Sequence, residues 1–375
     1  MADTSVLSGL DLTKWRKQFI RESMRDSGFE PYMGSSPTDI IQVVNDINAE
    51  GYTIRVPLVK RLQSNGVSGN TRLSGNEEAL DQYYQDVSWE YYRNAIEVSK
   101  KERKKSAVDL LAVRRPLLKE WASELIKYEI IENFHTINGT AYTSASESAK
   151  DAWLAANSTR VQFGASVSNN QSNDHSASLA TIDATNDKLT ASLITLIKRR
   201  ARYASPHIKP FKTGTMGREY YVLFTHPLCF RDLKTDSTIA QANREARPRE
   251  VGSNPIFQDG DLIYDGVIIR EIPEFYQPRF DTDTVNTDTH LEDVGDSSTV
   301  DVGVNFLCGQ NAMAMVNKQA ALPISKKEDD YGFFDGVGVE MAHGFAKMRW
   351  ANGANSTAAI DYGMMTVYCA AQPDT

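Results

Sequence analysis

The 375-residue sequence is poor in cysteine. Its three cysteines, Cys229, Cys308 and Cys369, are odd in number and far apart, so no disulfide framework is implied and reducing surroundings are the expectation. It has no run of about 18 or more apolar residues, which removes a transmembrane helix. The start, Met1-Ala2-Asp3-Thr4-Ser5, has no basic flank leading into an apolar core, so it does not read as a secretory signal. A protein made and kept in a cytoplasm is therefore expected. No internal repeat is present, which argues against a solenoid or propeller. Positive charge is not in excess: 41 Lys and Arg against 49 Asp and Glu leave a net charge of -8. That balance argues against a protein whose whole surface grips nucleic acid.

Motifs for chemistry are also scarce. His135, His175, His207, His226, His290 and His343 show no HExxH spacing, and there is no CxxC. There is no GxxxxGK[ST], and no glycine-rich turn sits between a strand and a helix as dinucleotide binding requires. His226, Cys229 and Asp232 lie close enough in sequence to suggest base, nucleophile and orienting carboxylate. Local spacing at a strand end does not place a histidine within reach of a thiol, so a buried cysteine beside a helix-capping histidine is the plainer reading. Asp281, Asp283, Asp288, Glu292 and Asp293 could collect a hard cation, but they lack the ligand order and central glycine of an EF-hand and read as a solvated acidic loop. No cofactor and no metal is expected.

What the sequence does have is a long ribbon signal between Tyr52 and Arg93. The first arm places Tyr52, Ile54, Val56 and Leu58 on one face; the return arm places Tyr83, Val87, Trp89 and Tyr91 on one face. Between them lies a polar, glycine-rich tip carrying Lys60, Arg61, Asn65, Gly66, Gly69, Asn70, Gly75, Glu77 and Glu78. A dozen extended residues reach about 40 Å, and an isolated two-stranded ribbon is marginal in water. The ribbon is therefore expected to lean on a partner, above all a second copy of the chain.

Elsewhere the periodicity predicts an amphipathic helix over 14–24, with Trp15 and Phe19 on one side, and a second helix over 38–49 ended by Gly51. Residues 99–135 carry the longest helical pattern, interrupted by Pro116, where a break near Arg114-Arg115 is expected. Its basic beginning, Lys100, Lys101, Lys104 and Lys105 among others, reads as a solvated face, with DNA phosphate or an acidic neighbour as the alternative contact. Residues 140–180, rich in Ser, Ala, Asn and Thr around Trp153 and Phe163, are expected to be a surface excursion. A helix is predicted within 181–204, a buried strand at 220–224, a helix over 228–242, and strands at 302–307, 337–341 and 364–370.

Several of these segments together resemble the major capsid proteins of tailed bacteriophages related to coliphage N-four. They are Glu30-Pro31-Tyr32-Met33-Gly34, Ile54-Arg55-Val56-Pro57-Leu58, Gly66-Val67-Ser68-Gly69-Asn70, Leu73 through Leu80 and Tyr221-Val222-Leu223-Phe224-Thr225-His226-Pro227. The resemblance implies an α+β, Hong Kong 97-like capsid fold: an N-terminal arm (1–49), an extended hairpin loop (50–98), a peripheral domain with its spine helix (99–219), an axial domain (220–300) and returning C-terminal strands (301–375). It implies a non-enzymatic subunit of an icosahedral head, assembled in a host cytoplasm as hexamers and pentamers around double-stranded DNA, with portal, scaffolding and decoration proteins as partners and no membrane. Because only a short arm precedes the resembling region, a separate scaffolding protein is expected. Intersubunit contacts would fall to Trp15, Phe19 and the tip residues named above, and an inner-wall basic patch to Lys100, Lys101, Lys104 and Lys105. The rival readings are a cytoplasmic enzyme using His226 and Cys229, and a nucleic-acid-binding protein using segments 100–119 and 198–212.

Overall fold

A computed structural model describes residues 28–45, 51, 53–59, 62, 64–80, 82–105, 110–213, 218–245, 262–277, 285–325, 333–350 and 359–374. The described backbone forms two compact units. One comprises the described parts of Tyr91–Leu125 and Gln319–Ala342; the other comprises those of Ser27–Glu90, Ile126–Lys318 and His343–Thr375.

In chain order, β1 (Met33–Gly34) and β2 (Ile41–Val44) are short strands, paired in parallel. β3 (Thr53–Val59) and β4 (Gln82–Ser88) form an antiparallel ribbon. β5 (Glu90–Ser99) leads into α1 (Lys100–Lys105), and α2 (Leu110–Phe134) is the long helix. Then come α3 (Glu147–Ala156), β6 (Val161–Phe163), α4 (His175–Leu179) and α5 (Ala191–Tyr203). Ser146, Asp174 and Thr190 begin α3, α4 and α5 by accepting a hydrogen bond from the third residue onward, which satisfies an otherwise orphaned donor. β7 (Phe211–Thr213) and β8 (Arg218–Thr225) precede α6 (Pro227–Thr235) and α7 (Ser237–Glu245). The remainder is nearly all strand: β9 (Leu262–Tyr264), β10 (Val267–Glu271), β11 (His290–Gly295), β12 (Val300–Cys308), β13 (Met313–Ser325), β14 (Phe334–Lys347), β15 (Arg349–Trp350), β16 (Ile360–Asp361) and β17 (Met364–Ala370).

The larger unit is built on a sheet of order β6-β17-β12-β8-β10-β9, with β11 added to β12 and β7 to β8. Every residue of β17 is buried. Met364, Tyr368 and Ala370 enter one core with Phe134, Trp153, Phe224 and Phe306; Met365, Val367 and Cys369 enter another with Ile194, Ile197, Phe230 and Leu233. The sheet is thus a middle layer, with the end of α2 and α3 on one side and α5 and α6 on the other. This is why β8 and β17 read as near-continuous apolar runs rather than alternating ones. Each large side chain removed from water here contributes roughly 1.5–3 kcal/mol. In the same unit β2 also runs parallel to the start of β13.

Four expectations are corrected. In the described part of the helix expected over 38–49, Ile41–Val44 is strand β2, stabilised by pairing with Met313–Val316, which outweighs a helical spacing of apolar residues. Residues 140–180 are no surface excursion, because Trp153 and Phe163 are buried and β6 is an edge of the central sheet. The Pro116 break does not occur; α2 runs through it, and Arg114 is buried, donating to Asp335 O at 2.8 Å. The acidic segment 281–300 contains strand β11, which carries Glu292 and Asp293. Asp281 and Asp283 lie outside the described residues, as does the expected helix at 14–24.

Candidate functional site

The β3–β4 ribbon alternates as its sequence predicts. Leu58 and Val87 are buried, Ile54, Val56 and Tyr83 half-buried, and Thr53, Arg55, Pro57 and Val59 exposed. Its apolar face does not wait for a second copy of the chain. It packs on Ala314, Val316 and Met348, with Trp350 edge-on to Tyr83 at 5.6 Å. This corrects the expectation that the ribbon needs a partner to cover that face. Trp89 stands with this cluster, while Tyr91 belongs to β5 and is exposed.

Beyond Val59 the chain leaves this support. Asn65, Gly66, Gly69, Asn70, Gly75, Glu77 and Glu78 are all exposed, and a side chain grafted onto Gly66, Gly69 or Gly75 would meet nothing within 4 Å. Those three glycines have positive φ, so the loop shape itself selects glycine. The tip is held by local bonds: Ser64 N–H donates to Glu78 Oε2 at 2.7 Å, Gly75 N–H to Glu77 Oε2 at 2.7 Å, and Asn76 Nδ2 to Arg72 O at 2.9 Å. Glu77 and Glu78 therefore shape the loop. Four apolar side chains are displayed on it: Val59 (56% exposed), Leu62 (63%), Leu73 (60%) and Leu80 (54%). Sequence reasoning named the polar residues of the tip and missed these leucines, whose separation in sequence hides that they share one projection. Trp15, Phe19, Lys60 and Arg61 lie outside the described residues.

Lys100, Lys101, Lys104 and Lys105 form one exposed helix, α1, in which Lys105 stands 3.6 Å from Glu102. In segment 198–212, Lys198 is held by Asp265 and Arg200 donates to Gln162 Oε1 and Ser158 O, so part of that charge is used internally.

His226 and Cys229 do not form a catalytic pair. His226 Nδ1 accepts the Leu228 N–H at 3.3 Å and caps α6, while the Cys229 thiol points to Ala370 O at 3.7 Å. Both are fully buried. Burial, with His290 stacked 5.0 Å away, pushes the His226 pKa down to about 3. Asp232 is occupied by Arg231 at 2.9 Å. Among the described residues, one group of side chains is placed to hold a metal ion: Glu147, Asp151 and Asp174.

The described residues combine a layered core with a ribbon whose tip is displayed to solvent. A family model described as phage capsid protein matches residues 3–373. The major capsid protein of Pseudomonas phage KPP25 is 24% identical over 96% of this chain and 95% of its own length. The fold superposes on the capsid of cyanophage Pam1 with a TM-score of 0.84 and 30% identity, covering all of both chains, and on the capsid of Ralstonia phage GP4 with a TM-score of 0.72 and 20% identity, again covering both completely. The chain belongs to the phage capsid protein family. It is a structural subunit of the phage head, has the Hong Kong 97-like fold, and works as a homo-oligomer within the virion.

Proposed function

We propose that the subunit assembles as hexamers and pentamers into an icosahedral shell around double-stranded DNA, and that the ribbon tip is the arm by which each subunit holds its neighbour. The observation that carries this reading is the tip itself: exposed leucines, positive-φ glycines and local hydrogen bonds, on a ribbon whose apolar face packs on its own chain. Leu62, Leu73 and Leu80 would bury against the adjacent subunit, each adding a small apolar gain repeated around a closed ring. In this reading the relationship is to the phages of the N-four type, with arm (1–49), hairpin (50–98), peripheral (99–219), axial (220–300) and C-terminal (301–375) segments. A portal, a separate scaffolding protein and decoration proteins would be the partners, and a host cytoplasm the place of assembly. Trp15, Phe19, Lys60 and Arg61 would add further intersubunit contacts.

The test is to replace Val67–Asn76 by a two-residue turn. The variant is expected to remain folded as a soluble subunit and to fail to close shells. Normal particles from it would overturn the role given to the tip.

A further inference from the structure

Strand β12 runs between two surfaces of opposite charge. Its nine residues span roughly 26 Å at about 3.3 Å per step. At the Cys308 end, Gln310 N–H donates to Lys209 O at 2.8 Å, and Ile208 N–H donates to Ala201 O at 3.0 Å, so residues 204–209 fold back beside the last turn of α5. Arg199, Arg202 and Tyr203 of α5 are thereby brought to the same end as Lys209. All four are exposed, Tyr203 at 83%.

Other cations of this segment are used internally. Lys198 is held by Asp265, Arg200 donates to Gln162 and Ser158, and Lys212 stands 3.7 Å from Glu219. Arg202 leans on the Tyr221 hydroxyl. Arg199 and Lys209 meet no carboxylate among the described residues. In a chain of net charge -8, this end therefore concentrates charge of the opposite sign, and its two arginines flank an exposed tyrosine. Arginine and tyrosine are among the side chains that most often carry the energy of a protein interface.

The Val300 end carries the complement. There β11 adds antiparallel to β12, with Gly295 opposite Val300. Glu292 and Asp293 are exposed on β11, and Asp296 is exposed in the turn that follows. Asp293 N–H donates to Asp301 Oδ1 at 2.9 Å and Asp296 N–H to Ile182 O at 3.0 Å, which fixes the backbone that presents them. Their three carboxylates form no ion pair with any described residue. The chain leading into α5 lies at this end too, where Asp187 O accepts Ala370 N–H at 3.0 Å, opposite Val302. Helix α5 thus runs from the acidic end to the basic one. Complementary surfaces at opposite ends of one unit cannot meet within a chain; between copies they fit head to tail, the contact that closes a ring.

Resting on the ring of subunits proposed above, we propose that Arg199, Arg202, Tyr203 and Lys209 dock a second copy of this chain through its Glu292, Asp293 and Asp296. This interface is separate from the ribbon tip. Tyr203 supplies contact area and a hydroxyl donor. Exposed ion pairs are individually weak, so the charges act by deciding which end meets which.

The experiment is charge reversal in the full-length chain supplied as the sole coat protein, with particles counted by electron microscopy and their genome content measured. Arg199→Glu with Lys209→Glu, and separately Glu292→Lys with Asp296→Lys, should each lower particle yield about tenfold or more, because like charges then face each other. All four changes together should restore the yield. Thermal unfolding of the soluble variants should stay near wild type, since the four side chains are exposed. Should a reversal unfold, the neutral pair Arg199→Gln and Lys209→Gln decides, with a yield below wild type expected and a wild-type yield contradicting the interface. Reversals that assemble as wild type does, or a combination as poor as either reversal alone, would overturn the inference. So would normal shells that lose only their genome in the Arg199→Glu, Lys209→Glu variant, which would assign the basic end to DNA. Failure of the ring assembly itself reads differently, since the wild-type chain would then form no closed particle.

Discussion

Lys347 donates to Asp361 Oδ2 at 3.0 Å with both side chains at most 3% exposed, a full ion pair enclosed in the core. Trp153 Nε1 donates to the same oxygen at 3.1 Å, and the Asp361 backbone N–H is taken by Asn157 Oδ1 at 2.8 Å. The pair thus locks α3 to the β15–β16 hairpin. Asp361→Ala leaves the Lys347 charge buried without its carboxylate and should cost about 3–5 kcal/mol. Replacing the pair together, with Lys347→Met and Asp361→Leu, should recover part of the loss. Urea unfolding of the soluble subunits measures both.

Gly303 is the second point of close packing. It lies opposite Cys369 in the β12–β17 ladder, and a Cβ added there would come 2.8 Å from Cys229 Sγ, 2.9 Å from Ala371 Cβ and 3.1 Å from His226 Cβ. Gly303→Ala should therefore cost about 1–3 kcal/mol. Cys229→Ala in the same chain should return part of that, giving a non-additive double-mutant cycle in the same unfolding assay.

Acid should destabilise the subunit through its buried imidazoles. His226 and His175 are pushed down to about 3 and His343 to about 4, each chiefly by burial. An unfolded chain takes up those protons near pH 6.5, so it binds more protons than the native state below that value. The stability these groups permit is present above about pH 6.5 and is lost as pH falls from there toward 3. Each contributes a slope of up to about 1.4 kcal/mol per pH unit within that window. His226→Gln, able to keep the α6 cap, should flatten the pH dependence of the unfolding midpoint; an unchanged profile would contradict this origin.

The basic helix α1 is exposed and carries its own Glu102. Changing Lys100, Lys101, Lys104 and Lys105 to Gln together should leave the yields of empty and filled particles unchanged across a salt series. A selective loss of filled heads, reversed at low salt, would instead assign these residues to the inner wall.

Strands β8 and β17 were legible because burial on both faces forces a continuous apolar run. The ribbon was legible because its alternation and its glycine-rich tip are both local signals. Strand β2 was not, since its helical spacing of isoleucine and valine is overruled by pairing with β13, more than 260 residues away in sequence. The segment 140–180 misled because its Ser, Asn and Asp residues act as caps: Ser146, Ser166 and Asp174 each take a backbone N–H. Such residues look like loop composition and in fact let short elements pack. The cluster of Glu147, Asp151 and Asp174 was invisible for a related reason, since a turn of α3 meets α4 only through the fold.

The most direct test of the tip's role is amide hydrogen exchange over residues 64–80, compared between the soluble subunit and assembled shells. Exposed amides with only local partners exchange quickly. Fast exchange is expected in the subunit and strong protection in the shell, confined to the tip and to the surface it covers on the neighbouring subunit. Equally fast exchange in both states would show that the tip projects into solvent in the shell and holds nothing.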